Sequence, residues 1–278
     1  MNIDDKFARL KEILSATGGA LVAFSGGVDS TLLAKVAFDV LGDKALAVTV
    51  KSEIHPAFEE ADARELAAAI GIRHIVVEVS ALSVEGLADN PPERCYICKK
   101  SILGKLLDIA RDEGLAVVVE GTNASDSGDF RPGAKAVAEL GVKSPLKEAG
   151  LTKDEIRALS RRLGLSTWQK PSLACLASRI PYGERITIEK LKSIDAAEDL
   201  LRASGYSILR VRRHGDLARI ELGDEDMKRF LADDKAPDIA ARIKALGFAY
   251  VTLDLQGYRT GSLNETLARK ADSMETPL

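Results

Sequence analysis

Four short, continuously apolar runs alternate with helical patterns through the first half of the chain, and no other feature restricts its fold as much. ALVAF (20–24), ALAVTV (45–50), HIVVEV (74–79) and LAVVVE (115–120) lack polar alternation, as strands buried on both faces of a parallel sheet do. Between them lie the helical segments 30–42, 59–71 and 99–114. These stop at Gly42, Gly71 and Gly114, where a left-handed C-cap belongs. The order βαβαβαβ predicts an α/β fold with a doubly wound, mostly parallel sheet.

A helix is expected over TKDEIRALSRRLGL (152–165), after which WQKPSLACLASRIPYGERIT (168–187) reads as an ordered loop joining two domains. A new unit follows. Residues 188–206 are helical in pattern, 207–215 and 216–222 alternate like a hairpin around His214-Gly215-Asp216, a helix covers roughly 225–246, and 248–255 close as a strand. The expectation is a first domain over 1–177 and a small α+β domain over 178–278, with the last dozen residues frayed.

Composition excludes several function classes. The net charge is -3 with both signs interleaved, so no basic footprint argues for nucleic acid. The N-terminal MNIDDKFARLKEIL carries no apolar signal region, and no stretch approaches the roughly 20 apolar residues of a membrane span. A cytoplasmic protein without membrane contact is expected, acting on a small molecule and assembling as a homo-oligomer. Three cysteines in a reducing compartment point away from disulfides and toward metal binding, catalysis or packing.

Directly after the first apolar run stands Ser25-Gly26-Gly27-Val28-Asp29-Ser30, followed by a helix. A glycine pair at such a turn lets backbone N–H groups approach an anion, and the helix N-terminus adds partial positive charge. The Ser25 and Ser30 hydroxyls suit the same phosphate oxygens. Asp29 suits Mg²⁺ or a helix cap. The motif lacks the lysine-serine pair of a Walker A loop and the spacing of a Rossmann fingerprint.

Cys95 and Cys98 form a CxxC before a helix expected to begin near Lys99, with Lys99 and Lys100 beside them. Helix dipole and lysines both favour thiolate. Cys175 lies in the interdomain loop, and loops after sheet strands converge on one crevice. Three thiolates fit three corners of a 4Fe-4S cluster and leave one iron open. A structural zinc normally wants a fourth protein ligand, with only His55, His74 and His214 to supply it. A redox dithiol or core packing are the remaining uses.

With VAFSGGVDSTLL, GTNASDSGDFRPG (121–133), SRIPYG (178–183), RVRRHGDLARIEL (210–222) and FAYVTLDLQGYRTGSLNETL (248–267) in view, the chain resembles, nearly end to end, the LarE family of PP-loop sulfur transferases. The resemblance implies a PP-loop ATP pyrophosphatase domain of HUP-like fold. It also implies an activity: ATP and Mg²⁺ adenylate a carboxylate of pyridinium-3,5-biscarboxylate mononucleotide, pyrophosphate leaves, and sulfur from sulfide or another donor replaces the activated oxygen. The product serves the nickel-pincer cofactor of lactate racemase. Some members sacrifice one cysteine; Cys95, Cys98 and Cys175 match the type with three cysteines and a 4Fe-4S cluster. By position, Ser25, Gly26, Gly27, Asp29 and Ser30 are expected to hold ATP and metal, with Gly121, Asp126 and Arg131 lining the adenylate pocket. Lys99 steadies pyrophosphate. Ser178, Arg179, Arg210 and Arg212 are expected on the substrate, the last two on one strand face suiting its phosphate. Glu198 and Glu221 match carboxylates that the family can use near a metal, with surface salt bridging as their expected use here.

Three other readings compete. A tRNA thiolase can combine the same loop with three cysteines, but the pI of about 5.8 offers no RNA-binding surface. A nucleotide-binding sensor would release no pyrophosphate. An amidotransferase-type synthase gives no use for the cysteines, and no attached glutaminase is expected.

Overall fold

The computed structural model describes residues 1–126, 132–171, 174–259 and 261–265. They form two compact units, the first comprising residues 1–87 and 91–173 and the second 88–90 and 174–278. Residues 174–177 thus pack with the second unit.

In the first unit, strands β1 (Ala20–Ala23), β2 (Ala45–Lys51), β3 (Arg73–Glu78) and β4 (Val117–Val119) form a parallel sheet in the order β3-β2-β1-β4. The chain moves outward from β1 to β2 and β3, then returns to add β4 on the other side. That reversal opens a crevice between β1 and β4 at the carboxyl ends, where α/β sheets bind ligands. Helices α1 (Ile3–Ser15), α2 (Val28–Leu41), α3 (Phe58–Ile70), α4 (Arg94–Asp112), α5 (Pro132–Glu139), α6 (Pro145–Glu148) and α7 (Lys153–Arg162) complete the unit.

Both sheet faces are covered, which is why the strands read as unbroken apolar runs. Val22 of β1 joins Leu10, Leu14, Leu32, Val36 and Ile156 on one side. Its neighbour Leu21 points the other way, with Val48, Val118, Leu103 and Leu106. Gly71 ends α3 at φ +84°, in the left-handed conformation expected of a C-cap glycine.

The second unit holds α8 (Ile188–Ala203), β5 (Leu209–His214), β6 (Leu217–Leu222), α9 (Asp224–Leu231), α10 (Ala236–Ala245) and β7 (Tyr250–Leu253). β5 and β6 form the expected hairpin, and β7 adds parallel to β6. Where one helix was expected over 225–246 there are two. Asp233 accepts the Lys235 N–H, and Pro237, which has no N–H, sits in the first turn of α10. Leu191, Ile194 and Leu201 of α8 share the unit's interior with Val211, Ile220, Ile239, Ile243 and Phe248. Asn90, fully buried, donates to the carbonyls of Ile180, Pro181 and Glu184 and so fixes that loop. Among the described residues, no helix is long and apolar enough to cross a membrane.

Candidate active site

The turn 24–27 leaves β1 beside the sheet's reversal and enters α2. Gly26 has φ +67°, a conformation that side-chain-bearing residues rarely adopt. Gly27 is the N-cap and brings no side chain to the first-turn N–H groups of α2, which therefore remain available to an anion. The Ser25 and Ser30 hydroxyls lie 3.1 Å apart, and Ser30 Oγ donates to the Gly27 carbonyl at 3.2 Å. Gly121, after β4, passes so close that a Cβ there would lie 3.2 Å from Asp29 Cβ and from Ser30 N. Ser25, Gly26, Gly27, Asp29, Ser30 and Gly121 are thus one assembly.

Three residues complete it that sequence reasoning did not single out. Asn123 Nδ2 donates to Asp29 Oδ1 at 3.1 Å, and Lys153 Nζ to Asp29 Oδ2 at 2.5 Å. Lys170 Nζ donates to the Gly26 carbonyl at 3.1 Å and to Asp62 at 2.8 Å. A signal for Lys153 was present: Thr152 and Glu155 form a capping box, which places the intervening lysine at the first position of α7. Asp126 lies at the edge of the assembly and accepts the Asn123 N–H. Arg131 lies outside the described residues.

Cys95 and Cys98 are inside α4, which starts at Arg94 and not near Lys99. The turn Pro91-Pro92-Glu93 starts it early, with the Tyr96 and Ile97 N–H groups donating to the Glu93 carbonyl. Three residues apart on a helix, the two thiols share a face. Cys95 is exposed and Cys98 half-buried. Lys99 Nζ donates to Glu120 Oε2 at 2.9 Å, and Glu120 also accepts from Ser144 Oγ and from Thr122 N–H and Oγ. Burial alone pushes the Glu120 carboxyl up, but Lys99, Ser144 and Thr122 together hold it below the usual range.

In the second unit Cys175 caps a short turn, Leu176–Arg179. Arg179 holds Glu198 through two bonds, at 2.8 and 3.1 Å, and its third nitrogen donates to the carbonyls of Ala174 and Cys175 and to Ser178 Oγ. Arg212 holds Glu221 at 2.5 and 3.1 Å and donates to the Ser178 carbonyl and to Ser262 Oγ. Glu198 and Glu221 are completely buried, so the expectation of surface salt bridges for them is corrected. Each carboxylate faces an arginine across the unit's interior, because Arg179 and Arg212 themselves are covered. Arg210 differs from both. Buried, it lies 4.7 Å from the Tyr258 ring centre, and among the described residues it pairs with no carboxylate. Burial lowers its pKa.

As donors, the three thiols are soft ligands that suit an iron–sulfur cluster, and the Asp29 carboxylate is a hard one that suits Mg²⁺. Among the described residues, no three His, Cys, Asp or Glu side chains are grouped to hold a metal ion.

A glycine-rich turn of SGGxDS type, at the switch point of a helix-covered parallel sheet, defines an enzyme of the PP-loop ATP pyrophosphatase class. The NAD synthase family matches residues 5–88, the stretch that contains this turn. Over 263 residues the chain is 40% identical to the pyridinium-3,5-bisthiocarboxylic acid mononucleotide synthase of Lactiplantibacillus plantarum, covering 94% of this chain and 93% of that protein. It is 43% identical over 267 residues to an uncharacterized protein of Synechocystis sp., covering 96% and 100%. Identity to the glutamine-hydrolyzing GMP synthase of Aeropyrum pernix is 29% over 204 residues, covering 66% of this chain and 39% of that protein. The chain belongs to the LarE family, that of the L. plantarum synthase.

Proposed function

We propose that this chain uses ATP to adenylate a carboxylate of pyridinium-3,5-biscarboxylate mononucleotide and then exchanges the activated oxygen for sulfur, on the route to the nickel-pincer cofactor. One observation carries this: a complete phosphate loop in a chain that matches a named bisthiocarboxylate synthase along 94% of its length.

In the first step a substrate carboxylate oxygen attacks the α-phosphorus of ATP. The bond to the bridging oxygen breaks, and pyrophosphate leaves with the electron pair. The first-turn N–H groups of α2 and the Ser25 and Ser30 hydroxyls hold the phosphates in line, where backbone dipoles meet the developing charge. Asp29 would hold Mg²⁺, which neutralises phosphate charge when bound. Lys170 fixes the carbonyl of Gly26 and with it the loop's shape.

In the second step hydrosulfide adds to the acyl carbon, the C–O bond to AMP breaks, AMP leaves and the sulfur loses its proton, giving a thiocarboxylate. Cys95, Cys98 and Cys175 would hold a 4Fe-4S cluster, which supplies an open iron corner for sulfide. Arg210 is assigned to the substrate's phosphate; what supports this is that it forms no ion pair with a carboxylate among the described residues and lies over the Tyr258 ring. Arg179 and Arg212 are already taken up by Glu198 and Glu221. The test is pyrophosphate release with and without the pyridinium mononucleotide. Release that depends on it supports the function, and release indifferent to it removes the support.

A further inference from the structure

The phosphate loop contains an electrostatic conflict. Asp29 is the second residue of α2 and places a carboxylate where an ATP triphosphate has to dock. Lys153 resolves it: its ammonium contacts Asp29 Oδ2 at 2.5 Å, while Asn123 takes Oδ1. A divalent cation binding Oδ2 directly would meet that ammonium head-on, and like charges at such distance repel strongly.

Resting on the phosphate-loop reading, we propose that Lys153 exchanges places with the divalent cation of the nucleotide. Its ammonium neutralises Asp29 until the metal takes that carboxylate, and then turns onto the phosphates. The root of the side chain is fixed. The Lys153 N–H donates to Ser125 Oγ, the preceding Thr152 is locked to Glu155 by the capping box, and Glu155 is tied to Lys6. The tip is movable, because a four-carbon stem carries the ammonium and about a quarter of the side chain is exposed. Lys170, the second lysine at the loop, has two acceptors to give up, the Gly26 carbonyl and Asp62, whereas the Lys153 ammonium has Asp29. The exchange keeps the carboxylate neutralised throughout and gives the triphosphate a cation only when metal arrives with it.

The experiment compares wild type with Lys153→Met and Lys153→Arg, folding being checked by circular dichroism. Mn²⁺ binding without nucleotide is read by electron paramagnetic resonance, and α,β-methylene-ATP binding with Mg²⁺ by calorimetry. Lys153→Met should bind Mn²⁺ several-fold more tightly, because the competitor is gone, yet bind the nucleotide about tenfold to a hundredfold more weakly, the worth of one charge-assisted hydrogen bond. Lys153→Arg should recover part of the nucleotide affinity. Unchanged or weaker Mn²⁺ binding in Lys153→Met, or unchanged nucleotide affinity, overturns the exchange. Failure of the phosphate-loop reading shows separately, as wild-type nucleotide binding by Ser25→Ala and Asp29→Ala.

Discussion

Removing Glu221 should unfold the second unit far more easily than any surface change. Its carboxylate is fully buried and accepts two bonds from Arg212 and one, at 3.0 Å, from Arg219. In Glu221→Ala the Arg212 guanidinium, only 2% exposed as a side chain, keeps the Ser178 carbonyl and Ser262 Oγ but loses its counter-charge. Breaking a buried pair in this way costs about 3 to 5 kcal/mol. Replacing both partners together, as Arg212→Met with Glu221→Leu, should recover most of that, because Arg212 is then not left as a buried charge without its partner, and Arg219 keeps Asp254. Urea unfolding followed by far-ultraviolet circular dichroism is the appropriate assay. The single tryptophan, Trp168, is in the first unit and would not report on the second. Glu225→Ala breaks the exposed pair with Lys228 and should leave the midpoint unchanged. A loss below about 1 kcal/mol for Glu221→Ala, the range of a solvated pair, would mean that the carboxylate is not buried against Arg212 in solution.

Other outcomes follow from the sites. Glu120 has a folded pKa below its ordinary 4.5, so its stabilising effect is present above that pH and lost as pH falls through the folded value. Urea midpoints of wild type and Glu120→Gln should differ most at neutral pH and converge in acid below 4.5. Arg210→Ala should weaken the mononucleotide by about 1.5 to 3 kcal/mol while leaving ATP affinity unchanged, as calorimetry with each ligand would show. Cys95→Ala, Cys98→Ala and Cys175→Ala should each abolish thiocarboxylate formation yet retain substrate-dependent pyrophosphate release, assayed in the same anaerobic reaction.

The first unit's sheet was legible because both of its faces are covered, so burial wrote an apolar letter at nearly every position of β1, β2 and β4. The turn after β1 was legible for a related reason: its glycines, serines and aspartate are consecutive, and the shape of the turn follows from their local backbone geometry. Less local features were not. RVRRH and ARIEL alternate charge as solvated strands do, and only the cover over Arg212 and Glu221 turns those charges into a buried pair. The early start of α4 depends on a turn at two prolines that reads equally well as loop. Lys153 meets Asp29 from 124 residues away, a distance no spacing rule spans. The parallel pairing of β7 with β6 likewise depends on a connection through two helices.

The coupling of ATP cleavage to sulfur insertion, with the three cysteines spared, is what the proposed function stands on. Its most direct test is an anaerobic reaction with reconstituted iron, excess sulfide, ATP and the pyridinium mononucleotide, in which pyrophosphate and thiocarboxylate are counted per chain and the protein is then weighed by mass spectrometry. The two products should form in step, several per chain, with Cys175 unmodified. One thiocarboxylate or fewer per chain, with Cys175 lighter by the mass of hydrogen sulfide, would contradict this, as would pyrophosphate release without the mononucleotide.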